Sequence, residues 1–313
     1  MPTTDVKSME LGELTCWRIR HGQAELVIAQ QGAHIVSYQI DGDEPLIWSN
    51  PGAVFKRGKA IRGGMPICWP WFGNFQRNPQ SVQAMRQSSE PANAHGEVRA
   101  IDWELINIAE DGEALIVEFI QLNAENTEKS QTSDEHKLPG WPHKVGLKLS
   151  IRLDTALNVS LLTFNADKHD VTLSQALHSY FAVSDIHQVS IEGLDGVSYL
   201  NTLESWDTAQ VQSGDVTFTG ETDRIYQGTP ELISVVDPEW KRRIQIQTSG
   251  SNSSVVWNPW IDKTKTFSDM EADGWKGMVC VETANVMGDI VTLKPGDMHA
   301  MSVSIWAEPL DEK

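Results

Sequence analysis

The chain has 313 residues, with 43 acidic against 25 basic side chains, a formal net charge of -18 and a pI near 4.8. That balance excludes nucleic acid and anionic membrane surfaces as partners, because both demand basic patches. A small anionic ligand fits only where arginines are gathered locally. No linker interrupts the sequence, so one domain spanning 1–313 is expected, long enough for a large core. Cys16, Cys68 and Cys280 lie far apart without metal spacing and read as buried reduced thiols. Residues 1–15 lack a basic patch and an apolar core, so no signal peptide is expected, and the apolar runs are far shorter than the ~18 residues a membrane span requires. The expectation is a cytoplasmic protein.

In chain order, AELVIAQ (24–30) and HIVSYQI (34–40) read as a hairpin closed by Asp41-Gly42-Asp43, with Leu46-Ile47-Trp48 as the next extended piece. Residues 61–74, IRGGMPICWPWFGN, then bring an arginine, two glycines and three aromatic side chains together. Arg62 offers a fixed fork of donors for an anion, and Gly63 and Gly64 permit close approach to the main chain. The same residues also suit a packed aromatic corner between strands.

The polar stretch 76–93 reads as a loop over the site. Residues 94–105 lead into a strand whose partner is 114–122, across Glu110-Asp111-Gly112-Glu113, and a second polar loop follows over 123–143. In 144–153 the side chains of Val145, Leu147, Leu149, Ile151 and Leu153 share one face, the signature of a half-buried antiparallel strand. Further strands are expected at 157–165, 171–183, 243–248, 254–257, 277–282 and 300–306. Helical periodicity never exceeds about two turns, which leaves room for short helices at 230–236 or around Trp275. Many strands, few helices and frequent turn signals give an all-β sandwich or barrel.

Four places could carry chemistry. In LSQALHSYFAV (173–183), alternation separates Leu173, Leu177, Phe181 and Val183 from a face of Ser174, Ala176, His178, Tyr180 and Ala182. Small neighbours leave room beside the His178 imidazole, whose ordinary pKa of about 6.5 suits general acid or base work; a structural histidine is the alternative. Glu282 closes the apolar run GMVCVE, where partial desolvation would raise its pKa; a solvated strand-end carboxylate is the alternative. In AHGEVR, an extended backbone would put His95, Glu97 and Arg99 on one face. Asp223 and Arg224 form a charged pair before an apolar turn. No HExxH, HxH or CxxC occurs, and His136 and His143 lie apart in a polar loop, so no metal site is expected. No phosphate-binding glycine loop and no GxSxG occurs either, which argues against nucleotide cofactors and a nucleophile elbow. Most of the twelve tryptophans are expected in the core.

Taken together and in order, IRGGMPICWPWFG, HGEVR, ALHSYF, TDRIY and VCVETANV resemble the aldose 1-epimerase superfamily, and within it the hexose-6-phosphate mutarotases. The resemblance covers about residues 20–307. It implies a large antiparallel β-sandwich of the galactose mutarotase type and a cofactor-independent isomerase that interconverts the anomers of a hexose 6-phosphate. It further implies Glu282 as general base, His178 as general acid, Asp223 and His95 as sugar-binding residues, and Arg62 and Arg99 at the substrate phosphate. The expected partner is a small sugar phosphate, and the expected state a monomer. Ionised Glu282 beside protonated His178 would be the working pair. Two positions depart from the family pattern, Ala94 before the His-Gly pair and Glu97 after it. A carboxylate there would oppose a substrate carrying about two negative charges. Mutarotation of unphosphorylated galactose or glucose is the alternative chemistry, and a silent sugar-binding protein the alternative class.

Overall fold

The computed structural model describes residues 2–123 and 138–310. Three antiparallel sheets account for most of it. Thr4–Leu11, Leu14–His21, Ala24–Ala29 and His34–Ile40 form a four-stranded meander. One eight-stranded sheet runs in the order Ser190–Glu192, Leu232–Asp237, Arg242–Ser249, Met298–Pro309, Leu157–Asn165, Val145–Leu153, Ala114–Asn123, Glu104–Asp111. The other runs Ala209–Val211, Ser198–Asn201, Thr222–Gln227, Ser253–Asn258, Met278–Asn285, Gln175–Leu177, Ile67–Cys68, with Tyr180–Ala182 also paired to Met278–Asn285. Among the described residues no helix is long and apolar enough to cross a membrane.

The first of these large sheets follows from period-2 patterning. Val145–Leu153 alternates buried and half-buried positions throughout, and Leu157–Asn165 beside it nearly repeats the pattern. Their inward side chains join Val117, Phe119, Met301, Val303 and Ile305 in the main core. Met278–Asn285 behaves differently, for all eight of its residues are buried. Val279 and Val281 enter the main core, while Ala284 joins a second apolar cluster with Cys68, Ala176, Ile225, Val255 and Val286 on the other face. Glu282 lies directly across from Val255 and therefore faces that second cluster.

Several expectations change. The single strand expected over 171–183 is three: Val171–Leu173 pairs with Val291–Leu293 in a small separate sheet, and Gln175–Leu177 and Tyr180–Ala182 both pair with Met278–Asn285. Residues 232–237 are a strand rather than a helix, because Ile233, Val235 and Val236 are β-branched and the neighbouring Arg242–Ser249 supplies a pairing edge. Thr222–Gln227, read as a charged pair at a turn, is a strand, and Thr4–Leu11 and Leu14–His21 add two that composition did not flag. The polar stretch 76–93 contains a helical turn at Gln80–Gln83. The segment around His95 is not extended: His95 and Gly96 take φ of 62° and 77°, followed by a 3-10 turn at Val98–Ala100. Most of the second polar loop, His136 included, falls outside the described residues.

Leu149, 1% exposed at the centre of its strand, tests this core. Leu149→Ala should lower unfolding free energy by about 2–5 kcal/mol, seen as a shifted urea midpoint at unchanged slope, whereas Lys148→Ala on the outer face should move it far less.

Candidate active site

The site lies on the second face of the sheet that contains Met278–Asn285. Residues 61–74 form its edge by backbone pairing with residues 174–180. The carbonyls of Pro70, Pro66 and Gly64 accept from the N–H groups of Ser174 (3.1 Å), His178 (3.0 Å) and Tyr180 (2.9 Å). Glycine is required at position 64 because its φ is 69° and a Cβ there would stand 2.2 Å from the carbonyl oxygen of Ile35. The close approach it permits is thus to the protein's own backbone, not to a ligand. Trp69 and Trp71 are buried in the main core, so they support the corner, whereas Phe72 sits edge-on to His95 with ring centroids 5.0 Å apart.

His178 Nε2 stands 3.4 Å from Glu282 Oε1. Tyr180 stacks parallel to the imidazole at 4.9 Å, and Trp257 meets it edge-on at 6.2 Å. His178 is 7% exposed and Glu282 1%, and each keeps one buried polar atom, Nδ1 and Oε2, without a hydrogen-bond partner. Buried polar atoms are usually paired, and among the described residues this pair leaves two unpartnered side by side.

Burial dominates the electrostatics of this pair. It pushes the Glu282 carboxyl well above the ordinary carboxylate range, and the negative charge of Asp223 pushes the same way. Burial, with the Arg99 and Arg62 guanidiniums acting in the same direction, lowers His178 to about 3. Desolvation thus favours the neutral form of each group, against the mutual attraction that would favour an ion pair. Asp223 on the neighbouring Thr222–Gln227 strand is itself raised by burial.

The ring of His95 lies 5.3 Å from that of His178. Its Nδ1 accepts from Gly73 N–H at 3.3 Å and lies 3.3 Å from Cys68 Sγ. Burial, Arg99, His178 and Arg62 together hold its pKa well below the usual histidine value, so the neutral ring carries its proton on Nε2 and can donate there. Arg99 donates to the carbonyl of Ala94 at 2.8 Å and has no acidic partner among the described residues. Arg62 Nε donates to Asp269 Oδ1 at 2.8 Å, with its guanidinium 3.7 Å above the Phe267 ring. Glu97 is 5% exposed and accepts from Asn93 Nδ2 at 2.7 Å.

Of the six residues singled out in the sequence, His178, Glu282 and His95 adjoin one another, while Arg62, Arg99 and Asp223 act on them through their charges; the backbone that carries His95 and Arg99 is a turn. Tyr180, Trp257, Phe267 and Asp269 were not singled out. Tyr180 had a signal, since it shares parity with His178, whereas Asp269 pairs with Arg62 across 207 residues and has none.

The sequence profile of the aldose 1-epimerase family matches residues 15–306. A relative from Escherichia coli K12 described as "Putative glucose-6-phosphate 1-epimerase" is 33% identical over 276 residues, covering 88% of this chain and 84% of that protein. A relative of the same description from Cenchrus ciliaris is 32% identical over 287 residues, covering 89% and 80%. A crystal structure from Salmonella typhimurium described as a "putative mutarotase" superposes with a TM-score of 0.82 at 27% identity, covering 97% of this chain and 94% of that one. A galactose mutarotase-like protein from Clostridium acetobutylicum shares the fold, with a TM-score of 0.70 at 15% identity over 98% and 99% of the two chains. On these matches, which span nearly its whole length, the chain belongs to the aldose 1-epimerase family, a family of isomerases.

Proposed function

We propose that the protein interconverts the α and β anomers of a hexose 6-phosphate, with glucose 6-phosphate as the preferred substrate, and that Glu282 and His178 move the protons. The observation that carries this reading is the buried pair at 3.4 Å, each member with an unpartnered polar atom. The names of the relatives from Escherichia coli and Cenchrus ciliaris support the substrate.

One proton shared by the pair is enough for the whole cycle. With the proton on His178, Glu282 takes the proton of the C1 hydroxyl while His178 protonates the ring oxygen, and the bond from C1 to that oxygen breaks. The products are an aldehyde, a C5 hydroxyl, neutral Glu282 and neutral His178. Rotation about C1–C2 presents the other face of the aldehyde. His178 then takes the C5 hydroxyl proton as its oxygen attacks C1, and Glu282 returns its proton to the former aldehyde oxygen. Protonating the leaving oxygen in step with deprotonation avoids a full alkoxide.

The burial that favours the neutral pair also makes the charged pair reactive. A carboxylate whose pKa is raised is a stronger base, and an imidazolium whose pKa is lowered is a stronger acid. A phosphate seated on Arg99 and Arg62 would offset the cationic field that disfavours protonated His178, drawing the proton onto it when substrate arrives. Arg99, lacking an acidic partner among the described residues, is the stronger candidate for direct phosphate contact.

Glu282→Gln and His178→Asn should each lower kcat at least ~100-fold with folding retained. Exchange NMR of glucose 6-phosphate anomers measures this, and near-normal exchange in either variant would remove the assignment. Arg99→Ala should raise KM for glucose 6-phosphate by about tenfold or more while leaving that for free glucose little changed. Equal effects on the two sugars would return the reading to an unphosphorylated aldose, and saturable binding without acceleration would return it to a sugar-binding protein. The pH profile follows from one shared proton. On the acid side the pair gains a second proton only as pH approaches the His178 value of about 3, and on the alkaline side it loses its only proton at a Glu282 value raised well above 4.5. The quantity that reports the free protein, kcat/KM, should therefore have its acid limb well below the ordinary histidine value of 6.5. An acid limb centred at 6.5 would contradict it.

A further inference from the structure

Arg62 differs from an ordinary surface arginine because two of its three recognition faces are already engaged. The Nε–H edge is held by Asp269 Oδ1 at 2.8 Å, and one flat face lies 3.7 Å over the Phe267 ring. Both partners of the ion pair are only 24% exposed. The terminal pair of nitrogens, the end of the fork that meets a phosphate or carboxylate two-pronged, makes no hydrogen bond among the described residues.

The backbones carrying this pair are referenced to a single side chain. Asn50, 5% exposed, donates from Nδ2 both to the carbonyl of Asp269 at 2.7 Å and to that of Arg62 at 3.3 Å. Its Oδ1 accepts from Gly52 N–H at 3.0 Å. Met270, next to Asp269, is buried in the main core, and a Cβ on Gly274 would lie 3.2 Å from its Cγ, so the segment is closely packed on the C-terminal side of Asp269. Phe267 in turn packs against Trp257 at 6.4 Å, and Trp257 meets the His178 imidazole edge-on. A continuous set of contacts thus joins Arg62 to the proposed acid.

The geometry points to Asp269, with Phe267, as a positioning residue that aims the free end of Arg62 at the anionic group of the substrate. This rests on the hexose-phosphate reading above. Asp269 acts through Arg62 and need not touch substrate. Its own negative charge works against an anion, so it is useful there only if orientation outweighs charge. Orientation is the larger effect for a two-pronged contact, which is lost when the fork swings, while the charge of Asp269 is already offset by the Arg62 guanidinium it pairs with.

The test titrates inorganic phosphate and glucose 6-phosphate into the whole protein by calorimetry, and measures KM and kcat for glucose 6-phosphate and free glucose. Asp269→Ala should weaken both phosphate compounds about tenfold and raise KM for the sugar phosphate to match, with kcat and the free-glucose constants unchanged. Asp269→Asn keeps an acceptor for Nε–H while removing the charge, and should recover most of the loss; it also guards against misfolding of the alanine variant. Unchanged or tighter phosphate binding in Asp269→Ala would overturn the inference, since Asp269 would then only oppose the anion. If the parent protein turned over free glucose as well as the phosphate ester, the hexose-phosphate reading would fall while the inorganic phosphate titration still decided the role of Asp269.

Discussion

Everything in this site depends on removing a carboxyl group from water. Glu282 sits in a strand with all eight residues buried, facing an apolar cluster, so its charged form loses hydration with no lysine or arginine among the described residues in direct contact to replace it. The consequences extend outward. Its proton is held tightly, the neighbouring imidazole is kept neutral by the same dryness, and the two arginines nearby act on His178 only because so little solvent screens them. Had Glu282 stood at the rim, as its place at the end of the run GMVCVE suggested, instead of inside a strand that continues to Asn285, the two side chains would form an ordinary hydrated ion pair with little driving force for proton transfer.

The charge distribution reinforces this local design. A chain with net charge -18 repels anions at long range, yet the site gathers Arg62 and Arg99 where His95 and His178 both register their fields. Attraction is therefore confined to within about a Debye length, ~8 Å at physiological salt. Such a site discriminates by contact instead of by steering, which favours fit over encounter rate.

How much of this was legible beforehand varied with the kind of information involved. Alternation in Val145–Leu153 named its own structure, because one buried face imposes period 2 on the residues themselves. Parity correctly separated Ala176 from Leu177 and Phe181, but Tyr180 and Ala182 join the main core with those two, and the breaks that divide 171–183 were not visible in it. Those arise where the backbone of His178 and Tyr180 turns to the carbonyls of Pro66 and Gly64, which is a fact about another segment. Position 97 shows a similar limit. A carboxylate beside His95 reads as a repulsive element, whereas in the fold it is tied to Asn93. Charge state was the least legible, since the attraction between Glu282 and His178 follows from their identities and the depth of burial that defeats it follows only from packing.

The strand Met278–Asn285 belongs to two apolar clusters at once, the main core through Val279 and Val281 and the floor of the site through Ala284. Its amides cannot open to solvent without separating both, so they belong with the most slowly exchanging hydrogens of the molecule. Loosening this strand would disturb the core and the site together. Heating or denaturant should remove activity and fold together, and residual turnover in a damaged sample counts the molecules that are still intact.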